Sequence, residues 1–320
     1  MASTLSTLLF PLLLTAGYAL AEPTRVLDDN FPDPGIIKTD QGYYAFGTQG
    51  SGVRVQVARS DDFASGWTRL DGTDALPEIP GWVRSNNAQV WAPDVIQRDD
   101  GTFVLYFTAI ADNGGKHCIG AATSSSIEGP YTGEASAIAC HTDEGGAIDP
   151  SGFRDADGTR YVVYKVDGNS LNGDGPRHPT PIILQKLASD AVTPVGDGVQ
   201  LIDRDEADGP LVEAPSLLKV EGTYYLSFSS NWYNSLNYDV SYAVASDVSG
   251  PYTKVQAPDA PLLVSGDGSD VGPLGGPSGA DFLDETRIAF HAFNDGQSID
   301  SGRGVWVAEI QVANGKITIQ

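Results

Sequence analysis

"GTYYLSFSS", Gly222 to Ser230, is a turn glycine followed by a strand-length run of aromatic and small residues. The same layout returns as "GYYAFGT" from Gly42, "GTFVLYFTA" from Gly101, "GTRYVVYK" from Gly158 and "TRIAFHAF" from Thr286. Aligned on Tyr43, Thr102, Thr159, Thr223 and Thr286, the copies are 59, 57, 64 and 63 residues apart. Each is a turn signal, often Asp-Gly or Glu-Gly, ahead of β-branched and aromatic residues. Five copies imply five units. A second motif trails several of them, in "QVARSDDFASGW" from Gln56, "GAATSSSIEGPY" from Gly120 and "YAVASDVSGPY" from Tyr242: a small-residue strand, a polar turn, then Gly before an aromatic. Each unit therefore holds several strands.

Long amphipathic helical patterns are absent after the first residues, and 37 glycines and 20 prolines interrupt every segment that would otherwise form one. Multi-stranded repeats of this length fit an all-β fold, a five-bladed β-propeller whose four-stranded blades surround a channel. A sandwich, the other all-β option, has no need of evenly spaced copies. No low-complexity linker divides the units, so one domain is expected.

The chain opens with "MASTLSTLLFPLLLTAGYALA", which carries no charged side chain, an apolar run over Leu8 to Leu14 and Ala19-Leu20-Ala21 ahead of Glu22. This reads as a secretory signal peptide over residues 1–21, leaving residues 22–320 as a secreted, extracellular propeller. The run is too short to span a bilayer, and no membrane association is expected after cleavage. Formal charge is −23 and the pI is near 4.2, which argues against nucleic acid as a partner and suits a solvated, monomeric extracellular protein. Cys118 and Cys140, in a chain bound for an oxidising compartment, are expected to form a disulfide.

Three carboxylates stand beside prolines where a unit begins: Asp33 in "FPDPGI", Asp149 in "AIDPSGF" and Glu213 in "VEAPSLL". Innermost strands of a propeller converge on its axis, so acids at equivalent ends of blades one, three and four face one cavity. Apolar neighbours such as Phe31, Ile148 and Val212 suggest partial burial, which is costly for a charge that a site does not need. The prolines restrict the residue before them and so the way each strand begins. For any one motif alone, ordinary turn chemistry is an adequate account; three in register with a repeat point to positioned acid–base groups. In blade two the corresponding "WAPDV" offers Trp91, either a sugar-stacking face or core packing.

In this order, ahead of aromatic strands, "FPDPGI", "WAPDV", "AIDPSGF" and "VEAPSLL" resemble glycoside hydrolase family 43, five-bladed propellers that include arabinanases, α-L-arabinofuranosidases and β-xylosidases. The resemblance covers nearly all of residues 22–320. It implies Asp33 as general base, Glu213 as general acid, and Asp149 as the residue that tunes the acid's pKa and orients it, in an inverting hydrolysis. The related invertase and levansucrase propellers expect Arg before the middle Asp-Pro, where this chain has Ile148. The expected substrate is a plant cell-wall polysaccharide or oligosaccharide, with exo release of L-arabinose favoured over endo-arabinanase or β-xylosidase action. A non-catalytic carbohydrate-binding propeller is the alternative from another class.

Phe31, Trp91, Trp232 and Arg303 are candidate sugar contacts, with Trp232 and Tyr233 in "SSNWYNS" read either as lining the pocket mouth or as rim packing. The resemblance also places a histidine near the channel, around a calcium ion or a water cluster. That is the candidate metal role of His291, against the reading of a histidine satisfied within the core. No cofactor is required for the hydrolysis itself, and calcium would be structural. His117, His141 and His178 have no zinc-like spacing, and "DADG" at Asp155 and "DEADG" at Asp205 read as turns rather than calcium loops. No GxSxG elbow, P-loop or strand-placed GxGxxG is present, which removes the common esterase and nucleotide-binding readings.

Overall fold

The computed structural model describes residues 22–172 and 177–320; the expected signal peptide at 1–21 lies outside them. After β1 (Thr24–Leu27), blade one runs β2 (Gly35–Thr39), β3 (Gly42–Gly47), β4 (Gln56–Ser60) and β5 (Thr68–Arg69). Blade two is β6 (Trp91–Gln97), β7 (Phe103–Ile110), β8 (His117–Ser124) and β9 (Thr132–Gly133). Blade three is β10 (Ala147–Arg154), β11 (Arg160–Val166), β12 (Ile182–Leu187) and β13 (Val199–Ile202). Blade four is β14 (Val212–Val220), β15 (Thr223–Ser230), β16 (Asp239–Ala245) and β17 (Thr253–Lys254). The fifth sheet holds β18 (Ser278–Asp284), β19 (Arg287–Phe293) and β20 (Arg303–Ala313), with β21 (Lys316–Ile319) paired to β20.

The five-bladed all-β propeller read from the repeat is thus the fold, and the repeated aromatic segment is the second strand of every blade. Its composition follows from its place. A second strand is covered on both faces by neighbouring blades, so both sets of its alternating side chains must be apolar. Tyr44 and Phe46 pack toward blade two, whereas Tyr43 and Ala45 pack toward blade five. On β7, Leu105 and Phe107 face blade one while Val104 and Tyr106 face blade three. Five apolar clusters fill the five gaps between blades. Wholly buried side chains such as Tyr44, Tyr106, Phe290 and Trp306 each contribute about 1.5–3 kcal/mol by leaving water.

The ring is closed by the chain's beginning. β1 supplies the fourth strand of blade five, antiparallel to β20, with Thr24 opposite Val307 and Leu27 opposite Val305. The Cys118–Cys140 disulfide is present and ties β8 to the loop before β10. Among the described residues no helix is long and apolar enough to cross a membrane.

Candidate active site

Each innermost strand begins with one residue in the left-handed region: Asp33 (φ 57°), Ala92 (42°), Asp149 (58°), Ala214 (51°) and Gly279 (59°). In blades one to four a proline follows it. A residue before proline ordinarily adopts extended backbone; here each of the four is left-handed instead, and the prolines sit in a kink. In blades two to five the ladder register breaks at that kink. Left-handed backbone outside glycine costs on the order of 1–3 kcal/mol, and such strain gathers at functional sites.

The kinked residues and their prolines line a constriction of about 40 Å³ on the axis. Above it opens a cavity of about 290 Å³ that holds Asp33, Asp149 and Glu213 together. A larger cavity, about 540 Å³, opens among Ile36, Asp94, Phe153 and Asp281 and contains none of the three acids. The smaller one is therefore the site. The three acids are not strictly equivalent, as the proline pattern had suggested. Asp33 and Asp149 share a position, whereas Glu213 precedes its blade's kinked residue, Ala214, and matches Trp91 and Ser278.

Asp33 is surrounded by donors. Thr48 Oγ1 donates to its Oδ2 at 2.6 Å and Arg303 Nη1 to its Oδ1 at 3.0 Å. Burial alone would raise the Asp33 pKa; the Arg303 guanidinium, with help from His291 and Thr48, outweighs burial and holds the carboxyl below its ordinary value. It is a carboxylate, the form a general base requires.

Glu213 is gripped from behind. Lys165 donates to Oε2 at 2.7 Å and the buried Tyr238 hydroxyl donates to Oε1 at 2.8 Å. Asp149 leans on the same chain segment, its Oδ2 accepting the Ala214 N–H at 3.0 Å, while its own N–H donates to Thr108 Oγ1 at 3.0 Å. Burial, then the neighbouring Glu213 charge, push the Asp149 carboxyl well above the usual carboxylate range. The cavity thus holds one carboxylate kept ionised and a crowded acid pair, the contrast on which two-carboxylate chemistry depends.

The sequence-predicted contacts divide. Trp91 lines the cavity, backed by the His117 ring at a centroid distance of 4.0 Å. His117 is the first residue of β8. Arg303 also lines the cavity, but as the ion-pair partner of Asp33 and over the Tyr233 ring. Phe31 is not a sugar contact: it is 0% exposed, packed under Gly47 between blades five and one. Trp232 is 41% exposed and off the cavity wall, whose aromatic there is its neighbour Tyr233.

His291 is wholly buried, and both ring nitrogens are engaged. Nδ1 accepts the Asp33 N–H at 3.0 Å, which leaves the Nε2 proton to be donated to Ser278 Oγ at 2.9 Å. Burial, reinforced by the Arg303 charge, lowers its pKa to about 3, so the ring is neutral. A neutral histidine suits a metal, but this one has no lone pair free and an arginine 3.4 Å from Nε2. Its residues do not fit a directly bound calcium; its place is to seat Asp33. Thr48, Lys165 and Tyr238 were not singled out from the sequence, where each is an ordinary polar residue in a strand or loop.

The sequence model of glycosyl hydrolases family 43 matches residues 24–317. An extracellular endo-α-(1→5)-L-arabinanase of Thermotoga petrophila is 29% identical over 256 residues, covering 69% of this chain and 50% of that protein. Extracellular endo-α-(1→5)-L-arabinanase 1 of Bacillus subtilis is 29% identical over 275 residues, covering 82% of this chain and 80% of its own. The chain thus spans half the length of the first relative and four fifths of the second. A solved thermostable family-43 glycoside hydrolase superposes with a TM-score of 0.77 at 25% identity, over 91% of this chain and 93% of that one. One family accounts both for the match along nearly the whole sequence and for the five-bladed ring, and the chain belongs to it: glycosyl hydrolases family 43, enzymes that act on glycosidic bonds.

Proposed function

We propose that this protein hydrolyses α-1,5-linked L-arabinan, cutting within the polymer with inversion at the anomeric carbon, as a secreted enzyme. The observation that carries the reading is the pairing, in one cavity, of an ionised Asp33 with the Glu213–Asp149 acid pair. Asp33 takes a proton from water as the water oxygen bonds to C1. Glu213 gives its proton to the glycosidic oxygen as the C1–O bond breaks. In an inverting enzyme the two carboxyls stand about 6.5–9.5 Å apart to admit that water. Asp149 crowds Glu213, so that the two buried carboxyls do not ionise independently, and through the Ala214 N–H it fixes the strand that carries Glu213.

Two features favour internal cleavage over the exo α-L-arabinofuranosidase action expected from the sequence. The relatives described above are named endo-arabinanases and extracellular. Tyr233 lines the cavity, and its chain neighbour Trp232, exposed and off the wall, offers a further aromatic face for the sugar units of a polymer. The test is the product pattern from linear arabinan in the first per cent of reaction. Oligosaccharides of mixed length support internal cleavage; arabinose alone returns the exo reading. Proton NMR of the first-formed product reports the anomer, and retention there would overturn the inverting mechanism.

Two further outcomes follow. Trp232→Ala raises the KM for arabinan by about tenfold, the loss of roughly 1.4 kcal/mol of aromatic contact, and raises that for p-nitrophenyl α-L-arabinofuranoside far less, because Trp232 lies beyond the cavity. Equal changes on both substrates would mean that Trp232 makes no contact particular to the polymer. Arg303→Met leaves the burial of Asp33 unopposed by its chief counter-charge, so the Asp33 pKa rises. Since the base works only above its pKa, the acidic limb of kcat/KM moves to higher pH. A pH–rate profile with an unmoved acidic limb would show that Arg303 does not hold the base ionised.

A further inference from the structure

Behind Glu213 lies a charge that the hydrolysis as written does not use. Lys165, on β11, has no exposed surface, and its ammonium lies 2.7 Å from Glu213 Oε2 and 3.1 Å from Asp167 Oδ1. Tyr238 holds the other oxygen. The flanking residues of β11, Tyr164 and Val166, are buried apolar residues of the gap between blades two and three. Burying an ammonium costs several kcal/mol, and exchanging a buried ion pair for apolar groups is often neutral or stabilising. Fold stability alone therefore gives little reason for a lysine here.

We infer that Lys165, anchored by Asp167, is a positioning residue that fixes the Glu213 carboxyl toward the leaving oxygen and meets the negative charge that develops on Glu213 as its proton departs. Preorganised charge aimed at a group whose charge grows in the transition state is worth more than the same contact in the ground state. Lys165 is a cation for this purpose. Burial alone would lower its pKa, but the charges of Glu213, Asp167 and Asp149 outweigh burial and hold it above its ordinary value. Asp167, itself buried, pairs with the ammonium while Glu213 is protonated.

The inference rests on the hydrolase reading, and its test separates the two. An aryl α-L-arabinofuranoside with a 2,4-dinitrophenolate leaving group departs without protonation, whereas an arabino-oligosaccharide expels an alkoxide that needs a proton. Lys165→Met is expected to lower kcat on the oligosaccharide by about a hundredfold, the lower end of what general acid catalysis supplies, and at least tenfold less on the dinitrophenyl substrate. The double variant Lys165→Met/Asp167→Asn removes the charge that Lys165→Met alone strands on Asp167, and decides the question if the single variant fails to give the wild-type circular dichroism spectrum. Equal losses on both substrates would make Lys165 merely structural, and wild-type rates on both would remove its role altogether. Wild-type protein that cleaves neither substrate nor the matching β-D-xylosides would overturn the hydrolase reading, and the inference with it.

Discussion

Asp33→Asn lowers kcat on arabinan roughly 10²–10⁴-fold, with the loss expected near the upper end because no second base stands ready in the contacts of this carboxylate. The amide is the same size, and asparagine tolerates the left-handed backbone at this position. Its oxygen still accepts from Thr48 or Arg303, yet it cannot take a proton from water. Arg303 meanwhile loses its counter-charge, so a modest fall in melting temperature accompanies the loss of turnover. A kcat within tenfold of wild type, measured on folded protein, would remove Asp33 from the role of base.

Glu213→Gln is the second large effect, and its signature is selective. The glutamine carbonyl oxygen can replace Oε1 as acceptor for Tyr238, but its amide then points N–H groups at the Lys165 ammonium, which falls back on Asp167. No proton is available for the leaving group, so turnover of arabino-oligosaccharides falls roughly 10²–10⁴-fold, and turnover of a dinitrophenyl arabinoside falls far less. Rates on the two substrates, compared by initial velocity, check this. A uniform fall would mean that Glu213 shapes the pocket instead of supplying the proton. A carbohydrate-binding propeller without catalysis would show no hydrolysis to lose and unchanged sugar binding in the variant.

The readable part of this molecule is the part that repeats. Second strands are apolar on both faces because blades cover both, and that requirement writes the same aromatic run five times. The proline kink repeats in four blades, and so Asp33, Asp149 and Glu213 stood out. What surrounds them comes from elements without a shared motif. Lys165 sits next to the end of a second strand, in "VVYKV", where both faces are covered and a lysine is out of place; only the acids around it explain its burial. Tyr238 stands at the end of the β15–β16 loop and Thr48 one residue past β3. Phe31 and Trp232 were misplaced because adjacency along the chain is not adjacency in the cavity: Phe31 turns under Gly47, and Tyr233 takes the wall beside Trp232. The strand "TRVL" that becomes β1 carries no repeat signal, and nothing local announces a partner nearly the whole chain away.

That closing strand ties completion of the chain to its chemistry. Arg303 is the first residue of β20, the strand on which β1 zips, and its carbonyl accepts the Phe31 N–H two residues before Asp33. The guanidinium that pairs with Asp33 and the histidine whose Nδ1 accepts the Asp33 N–H both belong to the fifth blade, the last to be synthesised. Loss of β20 would therefore take the counter-charge of Asp33 with it, although Asp33, Asp149 and Glu213 all lie on other blades.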